Sequence, residues 1–204
     1  CGLFVYWDMG EFYYLEHLAV APHMRNRKIG QQVLEHVETS LPGIRLLEVP
    51  LNSPDALESI RRAAAKYHAA GELLAGAGTV LTAQNVRDVA AAGGRFIISP
   101  DANPEVIRET KRLGLVSIPG FFTATEAFTA LRAGADYLKL FPAGKLGPGY
   151  VKDLKAVIKA PILAVGGVDT DNIAAFLDVC AGVGIGSALY KPGKTPAEIE
   201  QAAA

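Results

Sequence analysis

LLAGAGTVLTAQNVRDVAAAGGRFIISP, residues 73–100, carries the plan on which the rest of the chain is built. Leu73–Ala77 and Arg95–Ile98 are short and almost continuously apolar, as parallel strands covered on both faces are. Between them Ala83–Ala92 reads as a helix, opened by Thr82 as N-cap and stopped by Gly93. Gly78-Thr79 follow the first strand and Ser99-Pro100 follow the second. A strand, a helix and a second strand in this rhythm make one β/α repeat.

The rhythm continues in both directions. Further strands read as Ile44–Val49, Leu115–Ile118, Tyr137–Leu140, Ile162–Val165 and Val183–Ile185. Helices read as Pro54–Ala69, Pro104–Leu113, Thr125–Ala133, Pro148–Ile158, Thr170–Asp178 and Pro196–Ala203. Asn103-Pro104-Glu105 and Thr195-Pro196 are helix openings, and Gly134 is a helix stop. From Gly43 onward seven β/α units are visible, one short of a (β/α)8 barrel. The first 42 residues offer the missing unit: a strand at Phe12–Val20 and a helix at Ile29–Leu41. Cys1–Trp7 reads as an extra strand, pairing with Phe12–Val20 through a turn near Asp8-Met9-Gly10. An ordinary barrel has no use for it. The expected fold is an α/β TIM (β/α)8 barrel, with an open doubly wound sheet as the alternative.

The 204 residues suit one domain, half of them hydrophobic and 20% charged, which is the balance of a folded globular protein. A net charge of -1 gives no electrostatic case for nucleic acid or an acidic membrane. No apolar run reaches membrane-spanning length, and the polar stretch Asp8–Glu16 leaves no signal-peptide core near the start. The chain begins with Cys1 rather than Met, as a fragment or a processed product would. Cys180 lies in an Ala/Val/Gly-rich run and reads as a buried free thiol, which fits a cytoplasmic protein. His17, His23, His36 and His68 are scattered, so no metal site is expected.

The polar residues gather where the strands end. Barrel enzymes take their reacting groups from strand C-termini on one face. Lys139, in Leu138-Lys139-Leu140-Phe141-Pro142, stands in an otherwise apolar strand. An ammonium there loses solvation and becomes in part a free amine, able to form a Schiff base with a carbonyl. The bland alternative is an ion-paired or edge lysine. Glu48, among Leu46, Leu47 and Val49, is an acid that needs a partner; it is either a salt bridge to Lys139 or a proton carrier for imine formation. Gly166-Gly167 and Gly186-Ser187 suit close approach of backbone N–H groups to a phosphate, against the alternative of tight turns alone. Gly76-Ala77-Gly78-Thr79 is placed to present amides and a hydroxyl to a carboxylate.

The motifs Leu47-Glu48-Val49-Pro50-Leu51-Asn52, Gly76-Ala77-Gly78-Thr79-Val80-Leu81, Ile98-Ser99-Pro100, Pro119-Gly120, Thr123-Ala124-Thr125-Glu126, Leu138-Lys139-Leu140-Phe141-Pro142, Ala164-Val165-Gly166-Gly167-Val168 and Gly184-Ile185-Gly186-Ser187 run collinearly over about four-fifths of the chain. Residues 43–204 resemble the 2-keto-3-deoxy-6-phosphogluconate and 6-phosphogalactonate aldolases, Class I pyruvate aldolases on a TIM barrel. Pro50-Leu51-Asn52-Ser53-Pro54 is similar to the phosphogalactonate branch; the other branch typically has arginine where Asn52 stands. The resemblance implies Lys139 as the Schiff-base lysine and Glu48 as general acid/base. It implies Thr79 near the pyruvate carboxylate, Pro119 and Phe141 as pocket wall, and Gly166, Gly167, Gly186 and Ser187 as the phosphate site. The substrate is then a phosphorylated keto-acid sugar, with no metal or organic cofactor and a homotrimeric assembly.

Residues 1–42 depart from that family, whose first strand carries an Ile-Leu-Arg-Gly-like motif absent here. Tyr14–Pro22 and Arg25–Gln32 resemble instead the strand, loop and helix of GNAT acetyltransferases, whose loop holds a pyrophosphate at a helix N-terminus. Arg25 and Gly30 fit that loop, while Lys28 replaces its first glycine. The expected division is a GNAT-like segment over 1–42, packed as the first β/α unit, and an aldolase barrel over 43–204. Two rival functions follow: a catalytically impaired barrel chimera and a CoA-binding module.

Overall fold

The structure, a computed structural model, describes residues 2–8, 13–20, 44–67 and 74–184, with side chains from residue 46 onward within those ranges. The helices expected at Ile29–Leu41 and Pro196–Ala203, the pair Gly186-Ser187 and the side chains of all four histidines lie outside the described residues. The strands are β1 (Gly2–Asp8), β2 (Tyr13–Val20), β3 (Ile44–Pro50), β4 (Leu74–Gly78), β5 (Phe96–Ser99), β6 (Val116–Phe121), β7 (Leu138–Leu140), β8 (Ile162–Val165) and β9 (Gly182–Gly184). The helices are α1 (Ala56–Tyr67), α2 (Ala83–Ala91), α3 (Pro104–Arg112), α4 (Ala124–Ala133), α5 (Gly147–Lys155) and α6 (Ile173–Leu177).

The strands lie side by side in chain order. β1 and β2 form an antiparallel hairpin with Gly2 opposite Val20 and Asp8 opposite Tyr13. Every later neighbour is parallel, from β2 against β3 to β8 against β9. The sheet curls so that β1 comes back against β9. The extra strand therefore lies between the first and last parallel strands.

Alternation along each strand separates two environments. Leu47, Val49, Ala75, Ala77 and Ile97 pack outward against the apolar faces of α1 and α2. Leu138, Leu140, Ile162, Ala164 and Val183 belong to the outer layer beneath the later helices. The intervening positions point inward, where Phe96, Ile98, Ile118, Leu163 and Val165 form a plug with Leu46 and Tyr137. Gly76 makes that plug possible, because a Cβ there would lie 2.5 Å from the Phe96 ring.

The helix starts follow the local chemistry. Thr82 accepts from the Asn85 N–H, and Asn103 accepts from the Glu105 N–H ahead of Pro104. Thr123 and Glu126 form a reciprocal capping box on α4, which ends at Gly134 in the left-handed conformation. Each such cap contributes about 1 kcal/mol. Three expectations need correction. Pro119-Gly120 lie within β6 rather than after it. The helix expected over Pro148–Ile158 ends at Lys155, and a short 3-10 turn at Ala143–Lys145 precedes it. The helix expected from Thr170 begins only at Ile173, since the Asn172 side chain bonds back to the preceding turn.

Candidate active site

Lys139 is the middle residue of β7, and Leu138 and Leu140 on either side are fully buried in the outer layer. Alternation therefore turns Lys139 into the hollow. Two residues earlier, Tyr137 packs on the apolar plug, so Lys139 occupies the next level up. Glu48 stands in the same relation to Leu46 on β3. Both charged residues are buried, Glu48 at 1% exposure and Lys139 at 9%. They are the acid and the amine among the buried polar residues described; the others are Ser99, Thr110 and Ser117.

Above the plug several inward positions carry no side chain, and neighbouring groups pack against the bare backbone. Gly78, Gly120 and Gly184 take inward positions on β4, β6 and β9. Gly120 is the register partner of Lys139 on β6, and Leu163 is its partner on β8. A Cβ on Gly120 would lie 2.3 Å from the Pro100 carbonyl oxygen. Glu48 leans toward the C-terminal end of its strand: a Cβ on Gly78 would fall 1.4 Å from its Oε1.

The Lys139 Nζ lies 5.4 Å from the centroid of the Phe141 ring. Phe141 is 45% exposed at the mouth, and its ring lies over Gly166, where a Cβ would come within 2.8 Å of it. Gly166 and Gly167 have φ of 81° and 76°, a consecutive left-handed pair open to glycine. Their carbonyls are held by the protein. Gly144 donates its N–H to the Gly166 oxygen at 2.8 Å, and the Asn172 amide donates to the Gly167 oxygen at 2.9 Å. The Asn172 side-chain oxygen in turn accepts from the Asp169 N–H at 3.1 Å.

Thr79 follows Gly78 at the end of β4 with φ of 56°, a conformation costly for a β-branched residue. Pro119 pairs with Ser99 in register and sits on the strand face opposite Ile118 and Gly120. Sequence reasoning missed Gly144 and Asn172. Their local signals are weak: one glycine after Pro142-Ala143, and one asparagine beyond the Gly166-Gly167 pair. Cys180 is half-buried, and burial pushes its thiol up to about 11 against the opposing influence of Lys155. Among the described residues no cluster of His, Cys, Asp and Glu is arranged to hold a metal ion. No described helix is long and apolar enough to cross a membrane.

The fold is a curled, mostly parallel α/β sheet with Lys139 and Glu48 both buried on its inward side. The chain belongs to the KDPG and KHG aldolase family, whose profile matches residues 15–200. That match begins inside the segment read above as GNAT-like. The chain is 44% identical over 177 residues to the 2-dehydro-3-deoxy-6-phosphogalactonate aldolase of Escherichia coli K12, covering 85% of each. A solved structure described as native KDPGal superposes with a TM-score of 0.74 at 39% identity, covering 91% of this chain and 87% of that one. A KDPG aldolase from Legionella pneumophila, solved with pyruvate captured at low pH as a covalent carbinolamine intermediate, matches at 31% identity and TM-score 0.62 over 69% of each chain. The protein is an aldolase.

Proposed function

We propose that the protein is a Class I aldolase that cleaves 2-dehydro-3-deoxy-6-phosphogalactonate, or its phosphogluconate epimer, reversibly to pyruvate and glyceraldehyde 3-phosphate. The observation that carries this reading is Lys139, a buried amine on the inward side of β7 with glycine as its register partner on β6. The Lys139 amine adds to the C2 carbonyl, and loss of water from the carbinolamine with uptake of a proton leaves a protonated imine. Glu48 takes the proton of the C4 hydroxyl as the C3–C4 bond breaks, and the bonding electrons flow into the imine to give an enamine. The aldehyde leaves. Return of a proton to C3 and hydrolysis release pyruvate and restore Lys139.

The remaining assignments are substrate contacts. Thr79 meets the pyruvate carboxylate, Phe141 walls the pocket, and Gly166, Gly167, Gly186 and Ser187 hold the phosphate, while the outward face taken by Pro119 removes it from the pocket wall. Two left-handed glycines with both carbonyls tied back favour presentation of N–H groups to an anion. Support for the galactonate epimer comes from Asn52 and from the name of the Escherichia coli relative. Support for the covalent step comes from the carbinolamine captured in the Legionella pneumophila protein.

Residues 1–42 are read as a GNAT-like segment standing in for the first β/α unit; the parallel pairing of Tyr13–Glu16 onto β3 supports the strand's place in the sheet. The same reading includes a homotrimer in the cytoplasm, which sedimentation velocity and fractionation test. Loss of the first-strand arginine motif makes an impaired barrel the second reading, and steady-state turnover separates the two. The decisive experiment is borohydride reduction in the presence of pyruvate. A covalent mass on Lys139, absent in Lys139→Ala, is expected; an unmodified lysine would remove the Schiff-base assignment.

A further inference from the structure

We propose that Gly78 is a positioning residue for the proton transfer: its bare α-carbon is the surface against which the Glu48 carboxylate is held. The proposal rests on the reading of Glu48 as general acid/base. A Cβ built on Gly78 would lie 1.4 Å from Glu48 Oε1, 2.4 Å from Cδ and 3.0 Å from Cγ. The whole end of the side chain, not only its tip, lies along this glycine. The φ of Gly78 is outside the left-handed region, unlike those of Gly166 and Gly167, so backbone conformation does not require glycine there. Space does.

Neither partner has an easy retreat. Gly78 pairs with Pro50 in the β3–β4 ladder, and its carbonyl accepts from the Leu51 N–H at 2.9 Å. On the other side Glu48 is in register with Gly76, whose open face is filled by the Phe96 ring. The carboxylate is therefore confined to the level of Gly78, above the apolar plug. Any side chain at position 78 takes the volume that Oε1 occupies and displaces the carboxylate. A proton carrier must lie within hydrogen-bond reach of its proton, so a displacement of one or two ångströms is felt in rate.

The experiment uses the full chain and two cycles. In the first, deuterium exchange into the methyl group of pyruvate is followed by NMR for the parent, Gly78→Ala, Glu48→Gln and the double variant. Gln keeps the shape of Glu and removes the base. The expected result is a loss of about tenfold or more in Gly78→Ala, with almost no further loss when it is added to Glu48→Gln. The Lys139 adduct trapped by borohydride is expected to be equal in the Glu48→Gln and double variants; a further fall on adding Gly78→Ala would overturn the proposal. Equal losses in both backgrounds, or undiminished exchange in Gly78→Ala, would overturn the proposal.

The second cycle reads melting temperature and covers the case in which Gly78→Ala folds poorly. Truncation by Glu48→Ala removes the colliding atoms, so Gly78→Ala should cost less stability in that background. An equal cost with and without the Glu48 side chain would overturn the contact. Full exchange in Glu48→Gln alone would overturn the role of Glu48, and the proposal with it, even where the melting cycle shows the contact.

Discussion

Gly120→Ala is the sharpest probe of how the hollow is built. The added Cβ would lie 2.3 Å from the Pro100 oxygen, 2.5 Å from the Pro100 carbonyl carbon and 3.0 Å from the Ser99 oxygen. All three are backbone atoms at the end of β5, so no side-chain rotation can relieve them. Overpacking of this kind costs about 1–3 kcal/mol. In a chain of this size each kcal/mol moves the melting temperature by roughly 2–4 °C, giving a fall of roughly 2–12 °C. Because Gly120 is the register partner of Lys139, parting β5 from β6 should also reduce pyruvate trapping at that lysine. Thermal unfolding and adduct mass spectrometry read the two effects. Gly149→Ala supplies the contrast, since nothing lies within 4 Å of its Cβ and it is exposed in the first turn of α5. That change should stabilise by about 0.4–1 kcal/mol through the unfolded chain. Unchanged melting and trapping in Gly120→Ala, or a loss in Gly149→Ala as large, would refute the steric reasoning.

Asn172→Ala removes the donor to the Gly167 oxygen and the acceptor of the Asp169 N–H, so, if the Gly166-Gly167 turn binds phosphate as proposed, the KM for the phosphorylated aldehyde should rise severalfold while pyruvate methyl exchange is unchanged; an unchanged KM would count against that turn as the phosphate site. Hydrogen bonds from Arg112 and then Arg87 lower the Glu109 carboxyl from 4.5 to about 2. A carboxyl depressed by folding stabilises above its unfolded value and loses that contribution as pH falls. The stability difference between the parent and Glu109→Gln should therefore hold above pH 4.5 and vanish near pH 2, which acid titrations of urea unfolding would check. With its thiol at about 11, Cys180 should react only slowly with iodoacetamide at neutral pH, and fast labelling of the native protein would contradict its burial.

The repeating β/α plan was legible because each strand is an unbroken apolar run and each helix carries its own punctuation. Ile162–Val165 matches β8 residue for residue, while β6 runs three residues past its expected end, through Pro119-Gly120. A proline within a strand is tolerated where its missing N–H is not needed, a condition that only pairing partners reveal. The first hairpin was legible from its aromatic and β-branched runs; its contact with β9 was not, since nothing local encodes which distant edge a strand will meet.

Of the site, the sequence by itself singled out the candidates: one lysine and one glutamate, each embedded in apolar strand residues, and the glycine pairs at strand ends. Such isolated charges stand out because burying them is costly unless they are used or paired. The tertiary structure alone decided their arrangement. It put Glu48 and Lys139 on one level above the plug, laid the carboxylate on Gly78, and tied the Gly166-Gly167 turn to Gly144 and Asn172. Those relations join residues far apart in the chain and depend on strand register and close packing, which composition and spacing along one strand do not contain.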